Sequence, residues 1–115
     1  MTAASPYTIR LAIPAIATYQ LLRVAAGLSA KSTEAAAKGL PNSLFAVQVL
    51  LGDEVVGMGR IIGDGGCFFQ VTDIAVLPAH QGKGLGKRIM REIMQFIETD
   101  VPQSAYVSLI ADGQA

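Results

Sequence analysis

The amino-acid sequence predicts an α/β fold of the mixed-sheet (α+β) kind, an antiparallel meander of strands followed by a parallel strand–helix–strand unit. Three observations predict it. Residues 44–76 form three apolar, β-branched segments punctuated by Gly52-Asp53 and by Gly63-Asp64-Gly65-Gly66, and glycine-containing turns between such segments are hairpin signals. Residues 85–98 change to a helical period. Residues 105–111 return to strand composition, and two strands of one sheet joined by a helix run parallel with a right-handed crossover.

The elements follow in order. Thr8 to Leu11 reads as a short strand. Pro14 suits the first turn of a helix, where its missing N–H is no loss. Ile16, Leu21, Val24, Ala25 and Leu28 then recur at roughly helical spacing, with Gly27 near the end. A second helix is expected from Ser32 as its cap to Lys38, closed by Gly39. Leu44 to Leu51, Glu54 to Ile62 and Cys67 to Val76 are the meander strands. Gly57 and Gly59 inside the second predict a bulge or a close backbone approach. Pro78 stops the third strand. In the helix beyond it, Leu85, Ile89, Ile93 and Phe96 line one face, with Met90, Met94 and Ile97 beside them. Lys87, Arg88, Arg91, Glu92, Gln95 and Glu98 lie opposite. That pattern is a helix covering a sheet.

Composition bounds the function. A chain of 115 residues, 51% hydrophobic and 16% charged, fits one packed domain over 1–115 and not a disordered segment. Nine basic and nine acidic residues sum to zero, which argues against nucleic acid as a partner, since such binders need excess Lys and Arg. The single cysteine, Cys67, excludes an internal disulfide. No apolar run of about 18 residues exists to span a membrane, and the N-terminus lacks the pattern of a signal peptide. A cytoplasmic location is the expectation.

The chemistry concentrates in Gln81-Gly82-Lys83-Gly84-Leu85-Gly86-Lys87. Glycine at every second position removes Cβ atoms where backbone bends tightly or approaches a ligand. The segment opens into a helix start, where free N–H groups and the positive dipole end attract an anion. Lys83, Lys87 and Arg88 add positive charge. A phosphate or pyrophosphate site fits better than an empty glycine turn, because helix start, basic residues and preceding strand agree. A Walker loop is excluded, since Arg88 stands where its Ser or Thr would follow Lys87. A dinucleotide-binding module remains an alternative, but its motif follows its strand directly and needs more βα units.

Asp73-Ile74-Ala75-Val76-Leu77-Pro78-Ala79-His80-Gln81-Gly82-Lys83-Gly84-Leu85-Gly86 resembles the acetyl-CoA-binding core of the GCN5-related N-acetyltransferases (GNAT). The order of elements from residue 7 to about 111 is similar as well. The resemblance implies a GNAT-like acyl-CoA N-acyltransferase fold and acetyl-CoA as cosubstrate, with no metal. It implies main-chain pairing of Ile74, Ala75 and Val76 with the pantetheine arm. Gln81, Gly82, Lys83, Gly84, Leu85, Gly86 and Lys87 would cradle the pyrophosphate. The reaction implied is direct acetyl transfer to a primary amine, with an oxyanion donor in the N–H near Val76.

An alkylamine titrates near ~10.4 and must lose a proton before attack. Asp73, one residue before the pantetheine segment, is the candidate base. Asp64 reads as a turn residue, Glu54 as solvated, Cys67 as a small buried hydrophobe and His80 as a surface residue near the phosphates. Similarity of Gly59 to Gly65 and of Asp73 to Val76 to the arylalkylamine branch implies a small-molecule amine acceptor. A homodimer is left open, and no membrane partner is expected. The family continues past its fifth strand with a helix, commonly bearing a Tyr that protonates the leaving thiolate, and two more strands. Tyr7, Tyr19 and Tyr106 do not match that Tyr, and Asp112 to Ala115 resembles the start of that helix. The expectation is a C-terminally incomplete domain with impaired turnover and retained cofactor affinity. A non-catalytic acyl-CoA-binding or interaction module is the second alternative.

Overall fold

The computed structural model describes residues 5–109. Five strands form one sheet in the order of the chain: β1 (Tyr7–Arg10), β2 (Phe45–Leu51), β3 (Glu54–Gly63), β4 (Phe68–Val76) and β5 (Tyr106–Leu109). The first four pair antiparallel, and β5 joins β4 in parallel. Helices α1 (Ile16–Ala25) and α2 (Thr33–Gly39) follow β1, and α3 (Leu85–Asp100) connects β4 to β5. The expected residues 110 and 111 of the last strand, and Asp112 to Ala115, lie outside the described residues.

Local chemistry accounts for most boundaries. Helix α1 ends in two nested bonds, Leu28 N–H to the Arg23 carbonyl at 2.8 Å and Gly27 N–H to the Val24 carbonyl at 3.1 Å. This is the pairing that a left-handed residue after a helix allows, and Gly27 has φ +89°. Ser32 caps α2, its Oγ accepting from the Ala35 N–H at 3.0 Å. Gly39 does not close α2 as expected. It keeps helical dihedrals (φ −83°, ψ −45°), and the chain tightens into a 3₁₀ turn, Leu40–Asn42, that buries Leu40. Leu51 pairs with Glu54 across Gly52-Asp53, as the hairpin signal predicts.

Two cores flank the sheet. On one face Leu85, Ile89 and Ile93 of α3 bury against Val47, Val49, Ile61, Phe69 and Val71. On the other Tyr19, Leu22, Ala36 and Leu40 cover Met58 and Ala75. The apolar stripe read for α1 holds only in part: Ile16 and Leu28 pack against this core, but Leu21 and Val24 are exposed, and the buried side is Tyr19, Leu22 and Arg23. A buried arginine displaced the expected period, for a reason that lies in β4.

Gly59 is the close approach that the sequence predicts. A Cβ there would lie 2.6 Å from Ile89 Cγ2 and 3.2 Å from Ile93 Cδ1, so the missing side chain lets α3 seat on β3. Gly59→Ala should therefore overpack this contact and lower unfolding free energy by about 1–3 kcal/mol, read from urea denaturation.

Asp64 shapes the turn between β3 and β4. Its Oδ1 accepts from the N–H groups of Gly66 (2.8 Å), Cys67 (2.9 Å) and Phe68 (3.1 Å). Those bonds, Gly66 first, hold its carboxyl below the ordinary aspartate value. A depressed folded value gives stability that is present above the unfolded value and lost as pH falls through the folded one. Stability of the native chain should therefore decline from about pH 4 downward at low salt. Asp64→Asn should flatten that part of the profile, and an unchanged acid limb would remove Asp64 from it.

Candidate active site

The glycine loop follows a 3₁₀ turn, Pro78–His80. Gly82 and Gly84 have φ +79° and +78°, a region that side chains disfavour. Gly84 is the cap of α3 and offers no side chain to its first turn. The N–H groups that a capping side chain would take are left to an outside acceptor. An added Cβ at Gly82, Gly84 or Gly86 would meet nothing within 4 Å, so the concavity opens outward. Leu85 anchors the loop in the core, while Gln81, Lys83 and Lys87 are exposed around it. A polyanion fits this cradle of main-chain donors flanked by two lysines.

Two neighbours of the loop differ from expectation. Arg88 turns back to β1, donating through Nη1 to the Tyr7 carbonyl at 3.3 Å and Ser5 Oγ at 3.4 Å. It ties α3 to β1 and adds less to the loop than its sequence position suggests. His80 is half-buried, with Nδ1 2.9 Å from the Tyr7 hydroxyl and the two rings edge to face. Gln81 does join the loop to the strand before it, since its Nε2 donates to the Val76 carbonyl at 3.0 Å.

That strand carries the second part of the site. Among the described residues, β5 pairs with β4 over Phe68 to Val71. Beyond Val71 the same edge of β4 has no strand partner among the described residues. Leu77 N–H donates to the Val56 carbonyl across β3 at 2.8 Å. Main-chain groups alternate sides along a strand, so Ala75 also faces β3, where it pairs with Met58, while Ile74 and Val76 face the open edge. The three expected pantetheine residues are thus divided: Ile74 and Val76 turn their main chain away from β3, where the Val76 carbonyl accepts from Gln81, and Ala75 is spent inside the sheet.

The divide is made by a bulge. The β3–β4 register shifts between Met58 and Arg60, with Arg60 opposite Thr72 and Met58 opposite Ala75. Asp73, inside the shift, has φ +59°, the one positive φ of a non-glycine among the described residues. The extra residue reverses the alternation of faces. Phe69 and Val71 before it, and Ile74 and Val76 after it, all pack toward α3, while Ala75 packs toward α1.

Asp73, the candidate base, is buried and paired. It is 6% exposed, and its carboxylate accepts from three side chains. Arg23 Nη1 holds Oδ1; Tyr19 Oη (2.9 Å) and Arg60 Nε (2.6 Å) hold Oδ2. Each carboxylate oxygen thus accepts a charge-assisted bond from a guanidinium group. Tyr19, Arg23 and Arg60 are the residues the sequence reading missed. The available signal was the pair Tyr19 and Arg23 at i, i+4 on α1, which puts a cation on a face that must be buried. Burial, and then the Asp73 carboxylate beside it, raise the Tyr19 hydroxyl above the ordinary tyrosine value.

Tyr19 and Arg60 also floor a cavity of about 220 Å³ on the α1–α2 side, walled by Ala35, Ala36, Gly39 and Leu40 and rimmed by Lys31. Cys67 is exposed rather than a buried hydrophobe. Glu54 is exposed, as expected of a hairpin residue. No described helix is long and apolar enough to cross a membrane.

Comparison with known proteins follows this geometry. The acetyltransferase (GNAT) family model matches residues 15–109. A Staphylococcus aureus protein of unknown function, described as a probable acetyltransferase, is 50% identical, with a TM-score of 0.87 over 92% of this chain and 80% of its own. A GNAT-family protein of Streptococcus pneumoniae is 29% identical, with a TM-score of 0.75 over 94% and 77%. A GNAT acetyltransferase of Elizabethkingia anophelis, solved with acetyl-CoA bound, shares the fold at 18% identity and a TM-score of 0.63, over 84% of this chain and 61% of its own. No curated protein matches. A doubly wound dinucleotide fold is set aside, because the sheet has one parallel pair and otherwise antiparallel neighbours. On fold, motif and family match together, the chain belongs to the GNAT acetyltransferase family.

Proposed function

We propose that the chain binds acetyl-CoA and transfers its acetyl group to a small primary amine. The observation that carries this reading is the continuity of two main-chain sites. The open edge of Ile74 and Val76 leads through Gln81 into the uncapped start of α3. An extended, amide-bearing arm suits a strand edge, and a pyrophosphate suits a helix start. The N–H groups from Gln81 to Gly86, with Lys83 and Lys87, hold the phosphates. The main chain of Ile74 and Val76 holds the arm.

In transfer, the amine nitrogen forms a bond to the acetyl carbonyl carbon and the thioester C–S bond breaks. The Val76 N–H, on the side of β4 away from β3, would donate to the carbonyl oxygen as it gains charge. The thiolate departs and takes a proton from solvent. The amine must arrive neutral, its ammonium proton going to water because Asp73 is tied to its arginines, and the attacking nitrogen gives a second proton to water as the C–S bond breaks. The cavity of about 220 Å³ floored by Tyr19 and Arg60 has room for a small acceptor, which supports this reading.

Three outcomes follow from this arrangement. Titration calorimetry should give binding of acetyl-CoA and none of NAD. Gly84→Val, which forces a branched side chain to positive φ, should weaken acetyl-CoA about tenfold or more; an unchanged affinity would move the phosphates elsewhere. A thiol-release assay over a panel of aliphatic and arylalkyl amines should show transfer whose kcat/KM rises with pH toward the amine's own value near about 10. A plateau near neutral pH would instead reveal a side-chain base. Binding of acetyl-CoA with no transfer to any amine would leave a non-catalytic acyl-CoA-binding module.

A further inference from the structure

We propose that Asp73 is a positioning residue for acetyl transfer: its carboxylate, gripped from α1 and β3, holds the β4 bulge that turns the main chain of Ile74 and Val76 toward the acyl donor. The proposal rests on the reading that acetyl-CoA lies along that edge.

Three observations converge on it. The backbone of Asp73 sits at φ +59°, a conformation that costs a non-glycine residue unless its surroundings impose it. The surroundings here are specific: Tyr19 and Arg23 reach it from α1, and Arg60 reaches it from β3, 54, 50 and 13 residues away in sequence. Finally, the bulge sets which main chain points away from β3: Leu77 N–H donates to the Val56 carbonyl, so Ala75 faces β3 while Ile74 and Val76 face the opposite edge. Without the extra residue, regular alternation would carry Ile74 and Val76 to the α1 face.

Stability alone is a weak reason for this cluster. Buried ion pairs are costly to desolvate, and apolar residues of similar volume often serve a core as well. What an apolar residue cannot do is hold one residue of β4 in the left-handed region by charge-assisted bonds from two separate elements. Asp73 therefore acts through the position of its neighbours' main chain rather than on the reacting atoms.

The test compares two ligands, acetyl-CoA and adenosine 3′-phosphate 5′-diphosphate, the fragment that lacks the pantetheine arm. Asp73→Asn accepts positive φ but does not carry the charge. Tyr19→Phe removes one donor and keeps the ring, so a second variant remains if the first does not fold. For both variants calorimetry should show acetyl-CoA weakened, by about tenfold for Asp73→Asn and less for Tyr19→Phe, with the fragment's affinity retained. General loosening of the domain would weaken both ligands together. Equal losses, or no loss for either ligand in a folded variant, would overturn the positioning role. Failure of the unaltered chain to bind either ligand would instead overturn the acetyl-CoA reading itself.

Discussion

The bonds from Arg23, Arg60 and Tyr19 to the Asp73 carboxylate are the constraint on which the site depends. They join α1 and β3 to a single point of β4, and that point is where the strand's alternation reverses. The rest of β4 is held by ordinary means: antiparallel pairing with β3 and apolar contacts to both layers. Asp73 alone stands in a conformation that neither strand propensity nor packing would choose. A buried charge is tolerable there because each carboxylate oxygen has a charged donor.

Around this point the two faces of the sheet divide the work. The α3 face supplies rigidity: Ile89 and Ile93 press onto β3 where Gly59 leaves room, and that contact fixes the direction of the helix that opens at the glycine loop. The α1–α2 face is more polar, with a cavity floored by Tyr19 and Arg60. The open edge of Ile74 and Val76 runs between the two. Donor binding and acceptor binding can therefore be served by different layers, with β4 as the shared element.

The sequence was a good guide wherever the cause is local. Turn glycines, the Ser32 cap, the α3 stripe and the glycine loop each act through neighbours a few residues away, and each stands where it was read. Reading failed where the cause is distant. On α1 the apolar residues alone predict a stripe of Ile16, Leu21, Val24, Ala25 and Leu28, of which Leu21 and Val24 are exposed. The helix is instead rotated so that Tyr19 and Arg23 meet a carboxylate on β4. Arg88 was assigned to the phosphate loop because it is adjacent in sequence, yet its partner is the main chain of β1. Gly39 was assigned as a stop because it is glycine, but burial of Leu40 carries the turn onward.

By itself the sequence determined the mixed α/β class, the meander, the covering helix and the glycine loop at that helix's start. Periodicity, turn chemistry and an uncapped helix terminus are properties of contiguous residues. Only the tertiary structure decided what Asp73 is. As an isolated aspartate before Ile74 it reads as a base, and its meaning changes when residues 50 and 54 positions earlier in the chain close over it. The same folding decided that Ile74 and Val76 face outward while Ala75 does not. That division follows from strand register and one bulge, and register is set by pairing between strands.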